Sequence, residues 1–378
     1  MKRANAAEDL EGAKKQKAEE EEEEEKEDLP RVTVVIPLFN ASAYLVECLD
    51  SVLAQTFAGP LEVAIHDDAS TDDSLQVLET WMASTEQVRA ARTPGGLPVL
   101  VSASDANGGA GCARNMAVQR SSGSVLVMLD SDDMMHPDRV TRQVAALCSA
   151  EPHTLVGSNF HRLPADATHH YSEWANGLSG DELLRHQFRE CTLIQPTWCL
   201  SRDTFDRVGG YDQEIAEDLR FFLRHLDLGG HLLKVPQALV TYRHLDGSSL
   251  CARTPRKVLL EIRVRAFERR ILTSERWRHG FTIWGAGRDG RAFFNALSKD
   301  WRGKVRCFCD VDEAKIGRPY VNGATKEGPV DVVHWRDAEA PIVLCVALGR
   351  TGGAFEANVR ELATSGGLLE MRDYWQFN

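Results

Sequence analysis

The sequence predicts an α/β protein: a mostly parallel sheet covered by helices on both faces, followed by a smaller α/β unit. Three observations lead to this prediction. Short β-branched runs alternate with stretches of helical apolar spacing from residue 31 to about residue 150, which is the pattern of a parallel sheet. The alternation starts again near residue 281, after a less regular stretch. With 43% hydrophobic residues among 378, the chain is long enough to form two cores.

The first 30 residues differ in composition from the rest. They hold 12 acidic and six basic residues, including the run "AEEEEEEEKEDLP", and they show no apolar periodicity. This predicts a disordered acidic tail over residues 1–30. The tail lacks the apolar core of a signal peptide, and no later run approaches the ~20 apolar residues of a membrane helix. The nine cysteines are scattered and odd in number. We therefore expect a cytoplasmic protein without disulfides or membrane contact.

Four strands and three helices are predicted in the first part of the main domain. The predicted strands lie in "RVTVVIPLFN", "LEVAIHDDAST", "PVLVSAS" and "GSVLVMLDSDD". The predicted helices lie in "ASAYLVECLDSVLAQT", with Ser42 as its N-cap, "DDSLQVLETWMAS" and "GGAGCARNMAVQRS". Because parallel strands end at the same edge of a sheet, the turns that follow them should meet at one rim, where ligands bind in such folds.

A long helix and a second α/β unit follow an irregular region. The helix is predicted at 255–275, and its apolar stripe consists of Leu260, Val264, Phe267 and Ile271. The second unit begins at residue 281 with "FTIWGAGRDGRAFFNAL". The predicted domains are the tail 1–30, the main domain 31–250, a basic helical linker 251–280 and the small α/β domain 281–378.

Three carboxylates are crowded after the fourth predicted strand. The stretch "LDSDDMMHP" holds Asp130, Asp132 and Asp133 within four residues. Two readings are open: a solvated turn, or a site for a divalent cation. Asp130 and Asp132 lie two residues apart on one face of an extended segment, so both can point at one ion. Mg²⁺ and Mn²⁺ prefer such oxygen ligands and keep waters that a phosphate can replace.

The order of the motifs resembles a known family. "VVIPLFNASAYLVECLDSVLAQT", "DDAST", "GCARNMA", "LDSDD" and "EDLRFF" follow one another as in the family-2 glycosyltransferases. The resemblance covers roughly residues 31–250. It implies the GT-A fold, a Rossmann-like domain that binds a nucleotide sugar, and it favours the cation reading of the acids.

The resemblance also implies a UDP-sugar donor site and a site for Mn²⁺ or Mg²⁺. The residues implied for the donor are Pro37, Phe39 and Asn40 at the base, Asp67 and Asp68 at the uracil, Arg114 and Asn115 at the nucleotide or sugar, and Asp130 and Ser131 at the ribose or sugar. The residues implied for the metal are Asp132, Asp130 and a late histidine, His244.

The "ED" pair, Glu217 and Asp218, matches the part of the family that holds the general base. An inverting transfer needs one carboxylate that accepts the proton of the acceptor hydroxyl as its oxygen attacks the sugar. We expect Asp218 to be this base, and Glu217 to orient it or to contact the acceptor. The alternative is an exposed acidic pair at the start of a helix.

A basic segment suggests an unusual acceptor. Residues 251–280 hold nine Lys or Arg residues against three Glu in an otherwise acidic protein. Arg256, Arg263 and Arg270 are spaced seven apart on one helix face, which fits either contact with a polyphosphate such as tRNA or a solvated face. After residue 30 the chain also resembles, nearly throughout, tRNA-modifying members of the family. That resemblance implies transfer of galactose from UDP-galactose to queuosine at the wobble position of tRNA-Tyr.

Two other functions stay open from the sequence. One is a cytosolic transferase of GlcNAc or another sugar to a protein or glycan. The other is a nucleotide- or RNA-binding protein without catalysis. The "GAGRDG" stretch at 285–290, with Asp310 at the end of the next strand, has the spacing of a dinucleotide-binding loop. Because the unit is short, we favour close packing over cofactor binding there.

Overall fold

The computed structural model describes residues 29–90, 96–245, 254–323, 328–347, 349 and 351–377. The predicted acidic tail lies outside these residues except for its last two positions. The chain forms two compact units: the first holds residues up to Asn176, Leu193–Gln213 and His231–His244, and the second holds Gly177–Thr192, Glu214–Gly230 and the residues from Leu245 onward. The sequence predicted continuous domains separated by the linker 251–280, because patterning marks elements but not the neighbours on which they pack. As domain bounds, 31–250, 251–280 and 281–378 stay a prediction.

Thirteen named strands occur in the described residues. They are β1 (Val32–Leu38), β2 (Leu61–Asp67), β3 (Val99–Ala103), β4 (Val125–Met128), β5 (Met134–Met135), β6 (Thr154–Leu163), β7 (Cys199–Ser201), β8 (His231–Arg243), β9 (Phe281–Trp284), β10 (Val305–Asp310), β11 (Val332–His334), β12 (Ile342–Leu344) and β13 (Tyr374–Gln376). β1 to β8 lie in the first unit, and β9 to β13 lie in the second.

The described α-helices also number thirteen. They are α1 (Leu45–Leu53), α2 (Ser74–Ser84), α3 (Glu86–Arg89), α4 (Ala110–Arg120), α5 (Arg139–Cys148), α6 (His169–Gly177), α7 (Glu182–Arg185), α8 (Arg202–Val208), α9 (Glu217–Asp227), α10 (Arg256–Phe267), α11 (Arg288–Ala296), α12 (Lys299–Arg302) and α13 (Ala354–Gly366). Among the described residues, no helix is long and apolar enough to cross a membrane.

The sheet of the first unit runs in the order β3-β2-β1-β4-β7-β6-β8-β5. The four strands predicted first are parallel to their neighbours, in the order β3-β2-β1-β4. The prediction of a mostly parallel sheet holds for this half. The other half is mixed, since β7 is antiparallel to both β4 and β6, and β5 is antiparallel to β8.

Helix α1 shows how the apolar pattern builds the first core. The buried residues of this helix pack in one cluster with residues of β1, β2 and β4. They are Leu45, Cys48, Leu49 and Val52. The predicted cap was wrong, because the helix begins at Leu45 after Tyr44 and not at Ser42.

The sheet of the second unit is wholly parallel, in the order β11-β10-β9-β12-β13. Its core includes Trp284, which stacks on Trp335 and meets Phe355 edge-on. The predicted helix at 255–275 is α10 followed by a π-helical turn, Glu268–Leu272. Val264 and Phe267 of its predicted stripe are fully buried.

Candidate active site

The predicted rim is present in the first unit. β1, β2 and β4 are parallel neighbours, so the turns after them lie at one edge of the sheet. Leu38 pairs with Asp67 at the last position of the β1–β2 register. The amide of Asp68 donates to the carbonyl of Leu38 at 2.8 Å. The amide of Leu129 donates to the carbonyl of Val35 at 3.1 Å. These bonds hold both acidic turns against the end of β1.

The acids after β4 form one cluster. Asp130, Asp132 and Asp133 each offer a carboxylate oxygen, and these atoms lie within 4.8 Å of one another. A turn bond from the amide of Asp133 to the carbonyl of Asp130, 3.0 Å long, folds the segment back on itself. Asp133 is fully buried, whereas Asp130 and Asp132 are half-buried. The fold of the backbone therefore brings the three acids together, and they are not simply exposed acids of a solvated turn.

Two arginines supply positive charge to the cluster. Arg114 of α4 donates to Asp130 Oδ1 at 2.6 Å. The backbone amide of Arg243 donates to Asp133 Oδ1 at 2.8 Å, and its Nε donates to the carbonyl of Asp132 at 2.9 Å. Burial and the neighbouring Asp130 nevertheless raise the pKa of Asp132 to about 6. Burial, with Asp130 and Asp132, also raises the pKa of Asp133 well above its usual range.

The cluster fits a divalent cation. Asp133 Oδ2 is buried and has no hydrogen-bond partner among the described residues. Three carboxylates are thus brought together although burial and repulsion by neighbouring acids disfavour the ionised forms of Asp132 and Asp133, which a bound cation would reverse. Oxygen donors of this kind suit Mg²⁺ and Mn²⁺.

Two of the three predicted metal ligands lie together in the structure, and a ligand role for His244 stays a prediction. Asp130 and Asp132 lie together as predicted, and Asp133 joins them. His244 is not a member of this group; its backbone amide donates to the carbonyl of Leu163 at 2.8 Å. The sequence already showed Asp133 beside the other two acids, but alternation of side chains in an extended segment argued against it. The turn at Asp130–Asp133 removes that alternation.

A buried arginine beneath the cluster was missed. Arg139, in the first turn of α5, is fully buried. Its Nε donates to Gln143 Oε1 at 2.9 Å, and its Nη2 donates to the carbonyl of Met128 at 2.7 Å. Burial lowers the pKa of Arg139 to about 10, while Asp133 and Asp130 act in the opposite direction. The signal in the sequence was "DRVTRQV", where Arg139 shares a helix face with the apolar residues.

The acids after β2 have two different environments. Both oxygens of Asp68 are occupied, since they accept from the amides of Gly108 and Gly109 at 2.8 Å each. Asp68 thereby fixes the glycine-rich entry to α4. Asp67 Oδ2 accepts from the amide of Ser70 at 3.1 Å, whereas its Oδ1 is buried without a partner among the described residues. Asp67 is therefore the acid with free acceptor capacity.

The turn after β1 presents an aromatic ring. Phe39 is 45% exposed beside the buried Pro37. Asn40 adopts a left-handed φ of 49°, and its Oδ1 accepts from the amide of Thr71 at 2.8 Å. This side chain links the turn after β1 to the turn after β2. The sequence predicted Phe39 and Asn40 as base contacts, and that role stays a prediction.

Arg114 and Asn115 act on the same neighbour, Tyr211. Asn115 donates to the carbonyl of Tyr211 and accepts from its amide, both at 2.9 Å. The guanidinium carbon of Arg114 lies 5.4 Å from the centre of the Tyr211 ring. Ser131, the other predicted donor contact, is 8% exposed. Asn115 thus positions the backbone of Tyr211. A direct contact of Arg114, Asn115 or Ser131 with the sugar or nucleotide stays a prediction.

Glu217 and Asp218 begin α9 in the second unit. Ala216, just before them, adopts a left-handed φ of 61°. Both acids are half-exposed, and Asp218 Oδ1 accepts from the amide of Leu219 at 2.7 Å. Acidic side chains stabilise a helix N-terminus, which accounts for their presence in the fold. Their catalytic roles stay a prediction.

The three arginines predicted as tRNA contacts do not form a uniformly free face. Arg263 is half-buried in the second unit, and its Nη1 donates to the carbonyls of Phe188 and Arg189. Arg270 lies 3.8 Å from Asp227. Arg256 is exposed. Helical spacing placed these residues on one face but did not show that two of them have partners within the unit. Contact of the three with tRNA stays a prediction.

The parallel half-sheet, with the acidic cluster at its carboxyl edge, has the arrangement of the GT-A fold. Residues 33–209 match the family described as Glycosyl transferase family 2. This match covers slightly less than half of the chain, and it agrees with the resemblance to this family seen in the sequence.

Curated relatives agree with the class. The chain is 23% identical to "Glycosyltransferase GlyG" of Streptococcus pneumoniae over 228 residues, which are 57% of this chain and 72% of that protein. It is 40% identical to a chondroitin synthase of Escherichia coli over 112 residues, 30% of this chain but 14% of the synthase. Among solved structures, S. aureus TarS 1–349 in complex with UDP-GlcNAc matches with a TM-score of 0.49 and 19% identity, over 65% of this chain and 67% of that one.

Proposed function

We propose that the protein is an inverting, metal-dependent transferase that moves a sugar from a UDP-sugar to an acceptor hydroxyl. The observation that carries the proposal is the cluster of Asp130, Asp132 and the buried Asp133 at the carboxyl edge of the sheet. A family-2 domain over residues 33–209 makes nucleotide-sugar chemistry the expected use of that edge. A solvated turn does not account for a fully buried Asp133 with an unpartnered oxygen.

The residues at this edge of the sheet would have separate roles in binding the donor. Asp130, Asp132 and Asp133 would hold Mn²⁺ or Mg²⁺, an ion that when bound neutralises the charge of the departing diphosphate. Arg114 keeps Asp130 in place through their 2.6 Å ion pair. Asp67 has a free buried acceptor suited to the N–H of uracil, and the exposed ring of Phe39 suits stacking on the base.

Asp218 is proposed as the general base. One carboxylate suffices for an inverting displacement, because the acceptor oxygen attacks the sugar carbon as it loses its proton to the base and the diphosphate leaves from the other side. Glu217 would orient Asp218 or contact the acceptor. Asp218 is half-exposed, so it is open to substrate in the unit that carries it.

For the substrates, we propose galactose as the sugar and queuosine at the wobble position of tRNA-Tyr as the acceptor, in the cytoplasm. The support is the resemblance in sequence, after residue 30, to the queuosine-tRNA galactosyltransferase. The basic segment around α10 adds weaker support, since Arg256 is exposed there. The tRNA contacts proposed are Arg256 first, then Arg263 and Arg270.

The test incubates the purified protein with Mn²⁺, radiolabelled UDP-galactose and total tRNA from cells that contain or lack queuosine. Label confined to queuosine-containing tRNA is the expected result. Asp132→Ala and Asp218→Ala should each remove it, whereas Asp73→Ala, at an exposed acid of the same chain, should not. Transfer to a protein or glycan instead would keep the enzyme class and discard the tRNA acceptor. Full activity of Asp132→Ala, or no transfer to any acceptor, would overturn the proposed chemistry.

A further inference from the structure

The sheet of the second unit has the strand order of a nucleotide-binding fold. Its five strands are parallel and lie in the order β11-β10-β9-β12-β13, which is third, second, first, fourth and fifth along that part of the chain. In doubly wound sheets of this order, ligands bind at the carboxyl ends of the strands where the order reverses. Here the reversal lies between β9 and β12.

A cleft of about 280 Å³ lies at this reversal point. Its walls come from the segments that follow β9, β10 and β12, including the loop 285–290, Asp310, Val311, Lys315 and Val346. This volume is at the lower end of the range of small-molecule sites, roughly 300–1,000 Å³. The cleft therefore has room for one nucleotide rather than a large dinucleotide cofactor.

The three glycines of the loop have separate roles. Gly285 has a left-handed φ of 117°, which glycine adopts without strain. A Cβ on Gly290 would lie 1.8 Å from the carbonyl oxygen of Gly285, so this glycine allows α11 to pack against the end of β9. A Cβ on Gly287, by contrast, would meet nothing within 4 Å. Close packing explains Gly285 and Gly290 but not Gly287, which lines the cleft.

Asp310 completes the site at the end of β10. It is 7% exposed, and its Oδ2 accepts from the amide of Ala286 at 2.9 Å and from Lys315 Nζ at 3.1 Å. Its Oδ1 accepts from the amide of Asp312 at 3.1 Å. A carboxylate has about four acceptor positions, so one position on Oδ1 is left. Val311, next along the chain, is 51% exposed and offers an apolar surface in the cleft.

We infer that this cleft is a second nucleotide site, which binds a nucleoside diphosphate. The diphosphate would lie over Gly287 at the start of the nine-residue helix α11, where backbone amides and the helix dipole favour negative charge. Lys315 adds a cation, Asp310 accepts from a ribose hydroxyl, and Val311 contacts the base. The site does not depend on the proposed transferase reaction, since all of its residues belong to the second unit.

Isothermal titration of the full-length protein with ADP and with UDP, as separate probes, tests this inference, and NAD⁺ serves as a control that is larger than the cleft. Gly287→Val fills the mouth of the cleft at a position whose φ of −89° any residue adopts. Gly303→Ala is the matched control, because a Cβ there makes only ordinary contacts at 3.7 Å. Asp132→Ala removes nucleotide binding at the acidic cluster of the first unit. Photo-crosslinking with an azido-nucleotide, mapped by mass spectrometry, identifies the bound segment without relying on any variant.

We expect at least one probe to bind to the wild type, Gly303→Ala and Asp132→Ala alike, and at least tenfold more weakly to Gly287→Val. Crosslinks should fall in 284–290 or 310–315. The inference would be overturned if neither ADP nor UDP bound, or if Asp132→Ala removed all of their binding while Gly287→Val left it intact. A thermal midpoint of Gly287→Val equal to that of Gly303→Ala excludes a folding defect as the cause.

Discussion

Arg114 and Asp130 form an ion pair 2.6 Å long, in which the side chains are 5% and 24% exposed. The pair joins the first turns of α4 to the turn after β4, so the glycine-rich entry to a helix and the acidic cluster are positioned by one contact. Arg114 also faces the ring of Tyr211. Its positive charge lowers the pKa of Asp132, against the larger effects of burial and of Asp130.

Replacing Arg114 should therefore damage both stability and catalysis. Arg114→Met keeps most of the volume but leaves Asp130 unpaired in an acidic surrounding. Breaking a buried ion pair in this way costs about 3 kcal/mol. We expect urea unfolding to show a loss of this size and transfer to fall at least tenfold. Arg120→Met, at an exposed position of the same helix, should change neither; equal effects of the two substitutions would mean that the ion pair is not the cause.

Asp133→Asn separates stability from metal binding. The substitution keeps an acceptor for the amide of Arg243 and removes a fully buried carboxyl whose ionised form burial disfavours. Without divalent ions the variant should be more stable than the wild type by about 1–2 kcal/mol. Mn²⁺ should stabilise the wild type and have little effect on the variant. Thermal unfolding in EDTA and in Mn²⁺ measures both; stabilisation of the variant by Mn²⁺ equal to that of the wild type would remove Asp133 from the ligand set.

The parallel half of the main sheet could be predicted because each of its elements has a clear local pattern. β1, β2 and β4 are short, mostly buried runs that contain several β-branched residues, and α1 has its apolar residues at helical spacing. The mixed half could not, since its pairings are made between segments far apart in sequence. β7 is three residues long and pairs with β4, more than seventy positions earlier. No periodicity in three residues indicates such a partner.

The kind of site could be predicted from the sequence, but the roles of its individual residues could be predicted less well. Strand ends brought the acids of "HDDAST" and "LDSDD" to one edge because parallel strands must end together. The hydrogen bonds that distinguish Asp67 from Asp68 depend on a loop forty residues away, at Gly108 and Gly109. Arg139 was missed because a buried arginine resembles an ordinary surface residue in sequence. Only its contacts with Met128 and Gln143 show its role.

Asn115 should act through Tyr211 and not through the donor. Asn115→Ala removes two hydrogen bonds from the Asn115 side chain to the backbone of Tyr211. Each is worth about 1 kcal/mol, so we expect a loss of stability of about 2 kcal/mol. Displacement of Tyr211 should lower kcat by disturbing Arg114, while the KM for the UDP-sugar changes little. Gln119→Ala, exposed on the same helix, is the control. A large rise in KM at constant kcat would instead make Asn115 a donor contact, as the family resemblance implies.

Glu62 should make the first unit sensitive to acid. This carboxylate is 4% exposed at the opposite end of the sheet from the acidic cluster, near the start of β1 and β2. It accepts from Thr33 Oγ1 at 2.7 Å, from the amide and hydroxyl of Ser122 at 2.6 and 2.9 Å, and from the amide of Gly123 at 3.0 Å. Burial raises the pKa of Glu62, but these bonds outweigh burial, and the net pKa is lowered.

A lowered pKa in the folded state means that Glu62 stabilises the fold above its ordinary pKa, near ~4.3, and that this stabilisation is lost as the pH falls through the folded value. Glu62→Gln should cost about 2 kcal/mol at pH 7, since hydrogen bonds to a charged group are lost. The difference from the wild type should shrink below about pH 4, where the wild-type carboxylate takes up a proton. Urea unfolding from pH 3 to pH 7 measures this difference. Glu79→Gln, at an exposed position in α2, should have the same stability as the wild type at every pH. If the difference in unfolding free energy between Glu62→Gln and the wild type stayed constant with pH, the charge of Glu62 would contribute nothing.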